Sequence, residues 1–191
     1  MLRITSGSFR GRLIKALPGI TTRPTSERLR QAWLNALQMK LPEARVLDLF
    51  SGSGALGLEA LSRGASFVLF VEENTKAAQI IRENIKTLAV DEQSRILQKR
   101  AEAVAPLLAD EAPFDFVFMD PPYHKGFEEK ILAEFPWEEI LAEDGRLCIE
   151  SAYRKDGGAF TPPQSLAVLR HERYGDSQLT FYGRVLETRE P

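Results

Sequence analysis

Four short apolar runs, RVLDLF (45–50), SFVLFVE (66–72), SRILQK (94–99) and FDFVFMD (114–120), alternate with stretches in which apolar residues recur every three or four positions. Those stretches cover 55–63, 75–88 and 102–108. Runs of this length and composition suit strands buried on both faces of a parallel sheet, and the helical period between them suits the crossovers such a sheet needs. The alternation predicts an α/β fold of βαβ units, with right-handed crossovers that set helices on both faces of the sheet.

Around this frame the sequence predicts further elements. A helix near 126–135, a break at Pro136, a second short helix and a fifth strand, GRLCIES (145–151), follow the fourth strand. The tail, SLAVLRHERYGDSQLTFYGRVLE, holds two β-rich runs on either side of Tyr174-Gly175-Asp176 and reads as an antiparallel hairpin. Residues 2–16 suggest another hairpin around GSFRG, followed by a helix over 26–41 with Thr25 as its N-cap and Leu29, Trp33, Leu37 and Leu41 along one face. The Gly- and Pro-rich GGAFTPPQ (157–164) is expected to be a surface loop. A chain of 191 residues suits one domain, here 1–191, with 1–24 as an N-terminal hairpin arm.

The formal net charge of −2 conceals a strong segregation. Residues 1–30 carry seven basic side chains, among them Arg10, Arg12, Lys15, Arg23 and Arg28, against one acid, whereas the rest of the chain carries a net charge of −8. A basic arm on an acidic body is the electrostatic footprint of a phosphate-rich partner. No run of about 18 apolar residues is present and the first residues lack the apolar segment of a signal peptide, so a cytoplasmic location without membrane insertion is expected. The single cysteine, Cys148, lies in an apolar strand and reads as a small core residue. His124 and His171 have no metal-ligand spacing, so no metal is expected, and a monomer is the expected state.

The first strand runs into DLFSGSGALGLEAL (48–61), which sets Gly52, Gly54 and Gly57 in the G-x-G-x-x-G spacing. A glycine turn between strand and helix brings free N–H groups and a positive dipole end to an anionic or nucleotide-bearing ligand. Glu72, with Glu73 behind it, ends the second strand 20 residues after Gly52, where a carboxylate accepts hydrogen bonds from ribose hydroxyls. Two features separate a dinucleotide from S-adenosyl-L-methionine. Asp48, four residues before Gly52, would repel a pyrophosphate and attract an ammonium group. The other is Asp120-Pro121-Pro122-Tyr123, at the end of the fourth strand, where open α/β sheets bind ligands.

An exocyclic amino group on a nucleobase is a weak nucleophile because its lone pair is delocalised into the ring. Asp120 can accept one amino hydrogen and the Pro121 carbonyl another, which localises the lone pair, and Tyr123 offers a flat face to a base taken from its stack.

Asp48 to Gly54, with Phe50 and Ser51 inside it, resembles the cofactor motif of class I S-adenosylmethionine-dependent methyltransferases, and DPPY resembles the motif of amino-group methyltransferases. RITSGSFRGRLIKALPG, TRPTSERLRQAWLNAL, RVLDLFSGSGALGLEALSRGA and FDFVFMDPPY together resemble the bacterial 16S rRNA guanine-N2 methyltransferases of the RsmD type, over most of the chain. That resemblance implies a Rossmann-like, seven-stranded, mostly parallel sheet whose last two strands form an antiparallel hairpin. It also implies methyl transfer from S-adenosyl-L-methionine to a guanine of 16S rRNA or the small ribosomal subunit. Ala101 would then adjoin the adenine ring, though KRAEA stands where many relatives have a small residue followed by Asp or Asn. The basic residues would grip RNA phosphates. The four-residue motif does not specify its base, so an adenine-N6 methyltransferase acting on DNA or RNA stays open, as does an RNA-binding assembly factor without turnover.

Overall fold

The computed structural model describes residues 1–17, 24–155 and 158–186, which leaves Arg23 and Gly157 outside the described residues. It resolves into two compact units, Met1–Val104 and Ala105–Pro191.

The first unit opens with strands β1 (Leu2–Arg3) and β2 (Leu13–Ile14), paired antiparallel as a small ribbon. Helix α1 (Pro24–Leu37) follows and tightens into a 3-10 turn at Gln38–Lys40. It starts two residues before the expected 26, so Thr25 lies inside the first turn and not ahead of it. Pro24 at the first position has φ preset for a helix and loses nothing by lacking an N–H there. Leu29, Trp33, Leu37 and Leu41 are all buried, as their spacing predicts.

Strands β3 (Arg45–Asp48), β4 (Phe67–Val71) and β5 (Ser94–Leu97) are parallel in the order β5-β4-β3, with helices α2 (Ala55–Ser62) and α3 (Thr75–Leu88) as the crossovers. Asn74 caps α3, its side chain accepting from the N–H groups of Lys76 and Ala77 at 2.9 and 3.1 Å. Val46, Leu47, Val68, Leu69, Phe70 and Ile81 are completely buried, each such aliphatic or aromatic side chain contributing about 1.5–3 kcal/mol by leaving water. The helix expected over 102–108 is instead two 3-10 turns, Ala101–Ala103 and Ala105–Leu107. Pro106 is the reason: within an α-helix it would supply no hydrogen and its ring would strike the carbonyl four residues back.

In the second unit, β6 (Phe114–Met119) is followed by α4 (Phe127–Glu134), the short α5 (Trp137–Ile140) and β7 (Leu141–Ala152). β7 starts earlier than the expected 145: Leu141 pairs with Phe114 and Arg146 with Phe116, so the residues between them bulge from the ladder. Cys148 is buried in β7. Strands β8 (Leu166–Tyr174) and β9 (Ser177–Arg184) form the expected hairpin across Gly175-Asp176, and β9 pairs antiparallel with β7. β9 is buried nearly throughout, while β8, at the edge, carries Arg170, Glu172 and Arg173, charges of the kind that keep an edge strand from recruiting another chain. The loop expected at the surface is held down by Phe160, which is buried and whose carbonyl accepts from the Tyr182 hydroxyl at 3.0 Å. The fold is α/β, with a seven-stranded, mostly parallel sheet and a C-terminal antiparallel hairpin. Among the described residues no helix is long and apolar enough to cross a membrane.

Candidate active site

In the first unit the site is built on the turn between β3 and α2. Ser51 fixes the start of the turn: its N–H donates to the Val71 carbonyl at 3.1 Å, and its hydroxyl lies 2.7 Å from the Asp48 carbonyl and 3.2 Å from that of Val71. Gly54 precedes α2 at φ 77°, a left-handed conformation that a side chain would strain. Gly57 serves packing, since a Cβ there would run into the Phe70 ring and Val68 of β4. Gly52 donates its N–H to Glu72 Oε2 at 2.8 Å, and Glu72 Oε1 accepts from the N–H of Asn74 at the same distance. The 20-residue spacing noted in the sequence is therefore a direct contact.

Asp48 lies beneath the turn and not at an open mouth, only 2% exposed, because Gly57 of α2 donates its N–H to Oδ2 at 3.2 Å. Burial pushes its carboxyl up to about 7, against that hydrogen bond and with added repulsion from Glu72. Glu73 is exposed, Phe50 half-buried, and Ala101 buried in its 3-10 turn.

One residue of this half escaped the sequence reading. Asn84, fully buried on α3, donates to the Ser53 carbonyl at 3.0 Å and to the Lys15 carbonyl at 3.0 Å, and accepts from the Lys15 N–H at 2.7 Å. It ties the glycine turn to the segment after β2. Its only sequence signal is a polar residue inside the apolar stripe of Ala77, Ala78, Ile81, Ile85 and Leu88.

The N-terminal ribbon is fastened to α2 by buried Glu59, whose carboxylate accepts from the N–H groups of Thr5 and Ser6 at 2.9 Å and from the Thr5 hydroxyl. Of the basic residues read as an RNA grip, Arg10 and Arg28 are exposed. Arg12 donates to the Thr87 carbonyl and lies over the Phe9 ring, and Lys15 Nζ is 2.6 Å from Glu83. All four are on the surface of this unit, two of them with partners from α3.

In the second unit Asp120 follows the last residue of β6 and is exposed, Pro121 is buried, and Pro122 and Tyr123 face solvent. The Tyr123 hydroxyl donates to Glu150 Oε1 at 2.6 Å and lies 2.8 Å from Ser177 Oγ. Burial, then the charge of Glu150, pushes the phenol above its ordinary range, so it stays a donor. Burial also pushes the Glu150 carboxyl up, against hydrogen bonds with Tyr123, Ser177 and Asp120. The two carboxyl groups share one hydrogen bond, so Glu150 and Asp120 titrate as a pair. Glu150 and Ser177 were not visible in the sequence, being 27 and 54 residues from Tyr123.

The family model described as "Conserved hypothetical protein 95" matches residues 2–183. The chain belongs to this family. It is 34% identical to Bacillus subtilis YlbH, covering 95% of this chain and 98% of that one. It is also 31% identical to the Escherichia coli Ribosomal RNA small subunit methyltransferase D, over 96% of this chain and 90% of that one. The solved structure of Escherichia coli yhhF matches with a TM-score of 0.83 at 32% identity, covering 96% of this chain and 97% of that one. The architecture is that of the class I methyltransferases.

Proposed function

We propose that this chain transfers a methyl group from S-adenosyl-L-methionine to the exocyclic N2 amino group of a guanine in small-subunit rRNA. The observation that carries the reading is the Asp120-Pro121-Pro122-Tyr123 turn, whose aromatic ring is pinned by Glu150 and Ser177. Its context supports the substrate class, because a family relative over nearly the whole chain is named for methylation of small-subunit rRNA.

The first unit fits the cofactor. Each Glu72 oxygen accepts one backbone N–H and retains lone pairs for ribose hydroxyls. The side of Gly52 where a Cβ would stand is open, with no atom within 4 Å. Asp48 is poised near neutrality beneath the turn, so an ammonium group drawn to it would favour its ionised form. When bound, the cofactor supplies an electrophilic methyl group.

The chain's own residues do the rest. Asp120 accepts one amino hydrogen and the Pro121 carbonyl another, which localises the nitrogen lone pair. Tyr123 holds the base by stacking, with its hydroxyl anchored so that the ring does not swing. No strong base is needed before attack, since the nitrogen becomes acidic once methylated, and Asp120 or solvent then receives the proton. The rate comes chiefly from alignment of nucleophile and methyl group.

The test is incubation of the full chain with labelled cofactor and small ribosomal subunits lacking base modifications, followed by nucleoside mass spectrometry. N2-methylguanosine is the expected product. Methyladenosine would overturn the base assignment, and absence of any methylated nucleoside would overturn the activity.

A further inference from the structure

A cleft of about 390 Å³ opens one residue past the Tyr123 turn, lined by His124, Glu128, Glu129, Ser151, Tyr153, Arg154 and Phe160 among others. Its size falls at the lower end of the roughly 300–1,000 Å³ typical of small-ligand sites. Its walls include two aromatic rings, each with a guanidinium against it. The Arg154 guanidinium lies 4.9 Å from the centroid of the Phe160 ring, and the Tyr153 ring is backed by Arg173, outside the lining, whose guanidinium lies 3.8 Å from its centroid. Alternating aromatic rings and guanidinium planes are the surfaces on which unstacked nucleobases lie.

The charge inside selects among ligands. Glu128 is 4% exposed and belongs to the first turn of α4, and Glu129 beside it is 3.9 Å from Arg154. Two carboxylates against one arginine oppose a free phosphate and suit a ligand that presents N–H donors. A guanine edge presents N1–H and N2–H side by side, the spacing a carboxylate accepts with both oxygens; adenine pairs its amino group with an acceptor nitrogen, which a carboxylate repels. The cleft also starts at His124, whose ring is 6.2 Å from that of Tyr123 and nearly perpendicular to it, so a base held there is distinct from one stacked on Tyr123.

We propose that this cleft is a second base-binding site, selective for guanine through Glu128, which holds a nucleotide neighbouring the one that is methylated. The site stands on the geometry of the cleft, and its role in substrate choice rests on the RNA reading above.

The probe is guanosine 5′-monophosphate, titrated into the full chain and followed by amide and side-chain resonances of Tyr153 and Arg154. Guanosine monophosphate is expected to bind at least ten-fold more tightly than adenosine monophosphate, and inorganic phosphate to leave these resonances unmoved. Glu128→Gln should remove that preference, and Tyr153→Ala, which leaves the carboxylate in place, should weaken both nucleotides together. Equal binding of the two nucleotides, equal competition by phosphate, or an unchanged preference in Glu128→Gln would overturn the site. A second arm measures methylation of an RNA with the base next to the target removed: Glu128→Gln should raise KM about ten-fold on intact RNA and leave it unchanged on the abasic one. Nucleotide selectivity without RNA methylation would defeat the proposed function and keep the cleft, and RNA methylation without selectivity would do the reverse.

Discussion

Tyr123 donates its hydroxyl to Glu150 at 2.6 Å, and Glu150 is hydrogen-bonded in turn to Asp120, so one buried carboxyl on β7 sets both the ring and the acceptor of the Asp-Pro-Pro-Tyr turn. Glu150 acts through these two neighbours and is a positioning residue. Glu150→Gln keeps an acceptor for Tyr123 and supplies N–H donors for Asp120, so its kcat should stay within about three-fold of the parent. Glu150→Ala leaves the Tyr123 hydroxyl short of a partner, a cost of about 1–3 kcal/mol, and should lower kcat about ten-fold or more. Steady-state methylation of rRNA by the two variants decides it, and equal losses in both would sink the positioning role.

Stacking and anchoring by Tyr123 separate in its own variants. Tyr123→Ala removes a face worth about 1–3 kcal/mol per stacked base, so the KM for RNA should rise roughly ten- to hundred-fold. Tyr123→Phe keeps the face and should cost less than about five-fold. Equal KM values for alanine and phenylalanine would mean that no base rests on the ring.

The parallel sheet, the terminal hairpin and the glycine turn were legible because each rests on a local pattern: the apolar period, the turn residues between β8 and β9, and the spacing from Gly52 to Glu72. Glu150, Ser177 and Asn84 were not, because their partners lie tens of residues away and are brought close only by strand register and helix packing. A polar residue near a strand end, such as Glu150, looks the same in sequence whether water or a tyrosine meets it. The stretch over 102–108 misled for a different reason, since its apolar period was sound and one proline overrode it. The charge of the N-terminal segment was legible as a sum, but not the contacts of Arg12 and Lys15 with α3.

Asp48 makes the stability of the ligand-free protein depend on pH. Below its unfolded value of 3.8 both states hold the proton and nothing changes. Between there and about 7 the folded chain keeps a proton that the unfolded chain releases, so stability falls as pH rises, and above about 7 the cost is complete. At about 1.4 kcal/mol per pKa unit the cost reaches a few kcal/mol. Asp48→Asn should therefore raise Tm at pH 8 and flatten its pH dependence between 4 and 7, while losing the stabilisation that S-adenosyl-L-methionine confers. Thermal melts across pH, with and without cofactor, measure both, and a lower Tm at pH 8 would remove the argument.

Asn84→Ala leaves the Ser53 carbonyl and both backbone groups of Lys15 without their side-chain partner. Buried polar groups left unsatisfied cost about 1–3 kcal/mol, so a lower denaturation midpoint is expected. Because Ser53 lies between Gly52 and Gly54, the Kd for cofactor should also rise, by about five-fold. A destabilised variant with unaltered cofactor affinity would confine Asn84 to packing.

Neutralising Arg10, Arg12 and Arg28 together should weaken RNA binding and flatten its salt dependence. Each phosphate contact on a single strand contributes about −0.7 to the slope of log K against log salt. Arg12 is held by the Thr87 carbonyl and lies over Phe9, so its charge is presented in a fixed place, whereas Arg10 and Arg28 are exposed at the surface. The triple variant should lose about two units of slope, and an unchanged slope across a salt series would leave the ribbon without a role in RNA binding.

Asp120→Ala tests the chemistry most directly. Its carboxyl group is exposed after β6, so the variant loses the acceptor for one amino hydrogen while the glycine turn in the first unit is untouched. The Kd for S-adenosyl-L-methionine should remain within about two-fold and kcat should fall at least a hundred-fold, the loss of a charged hydrogen-bond acceptor that matters most as the nitrogen gains positive charge. Asp120→Asn preserves the geometry and one acceptor oxygen but not the charge, and should fall between the two. Binding by calorimetry and single-turnover methylation separate these quantities, and parental kcat in Asp120→Ala would exclude Asp120 from the reaction.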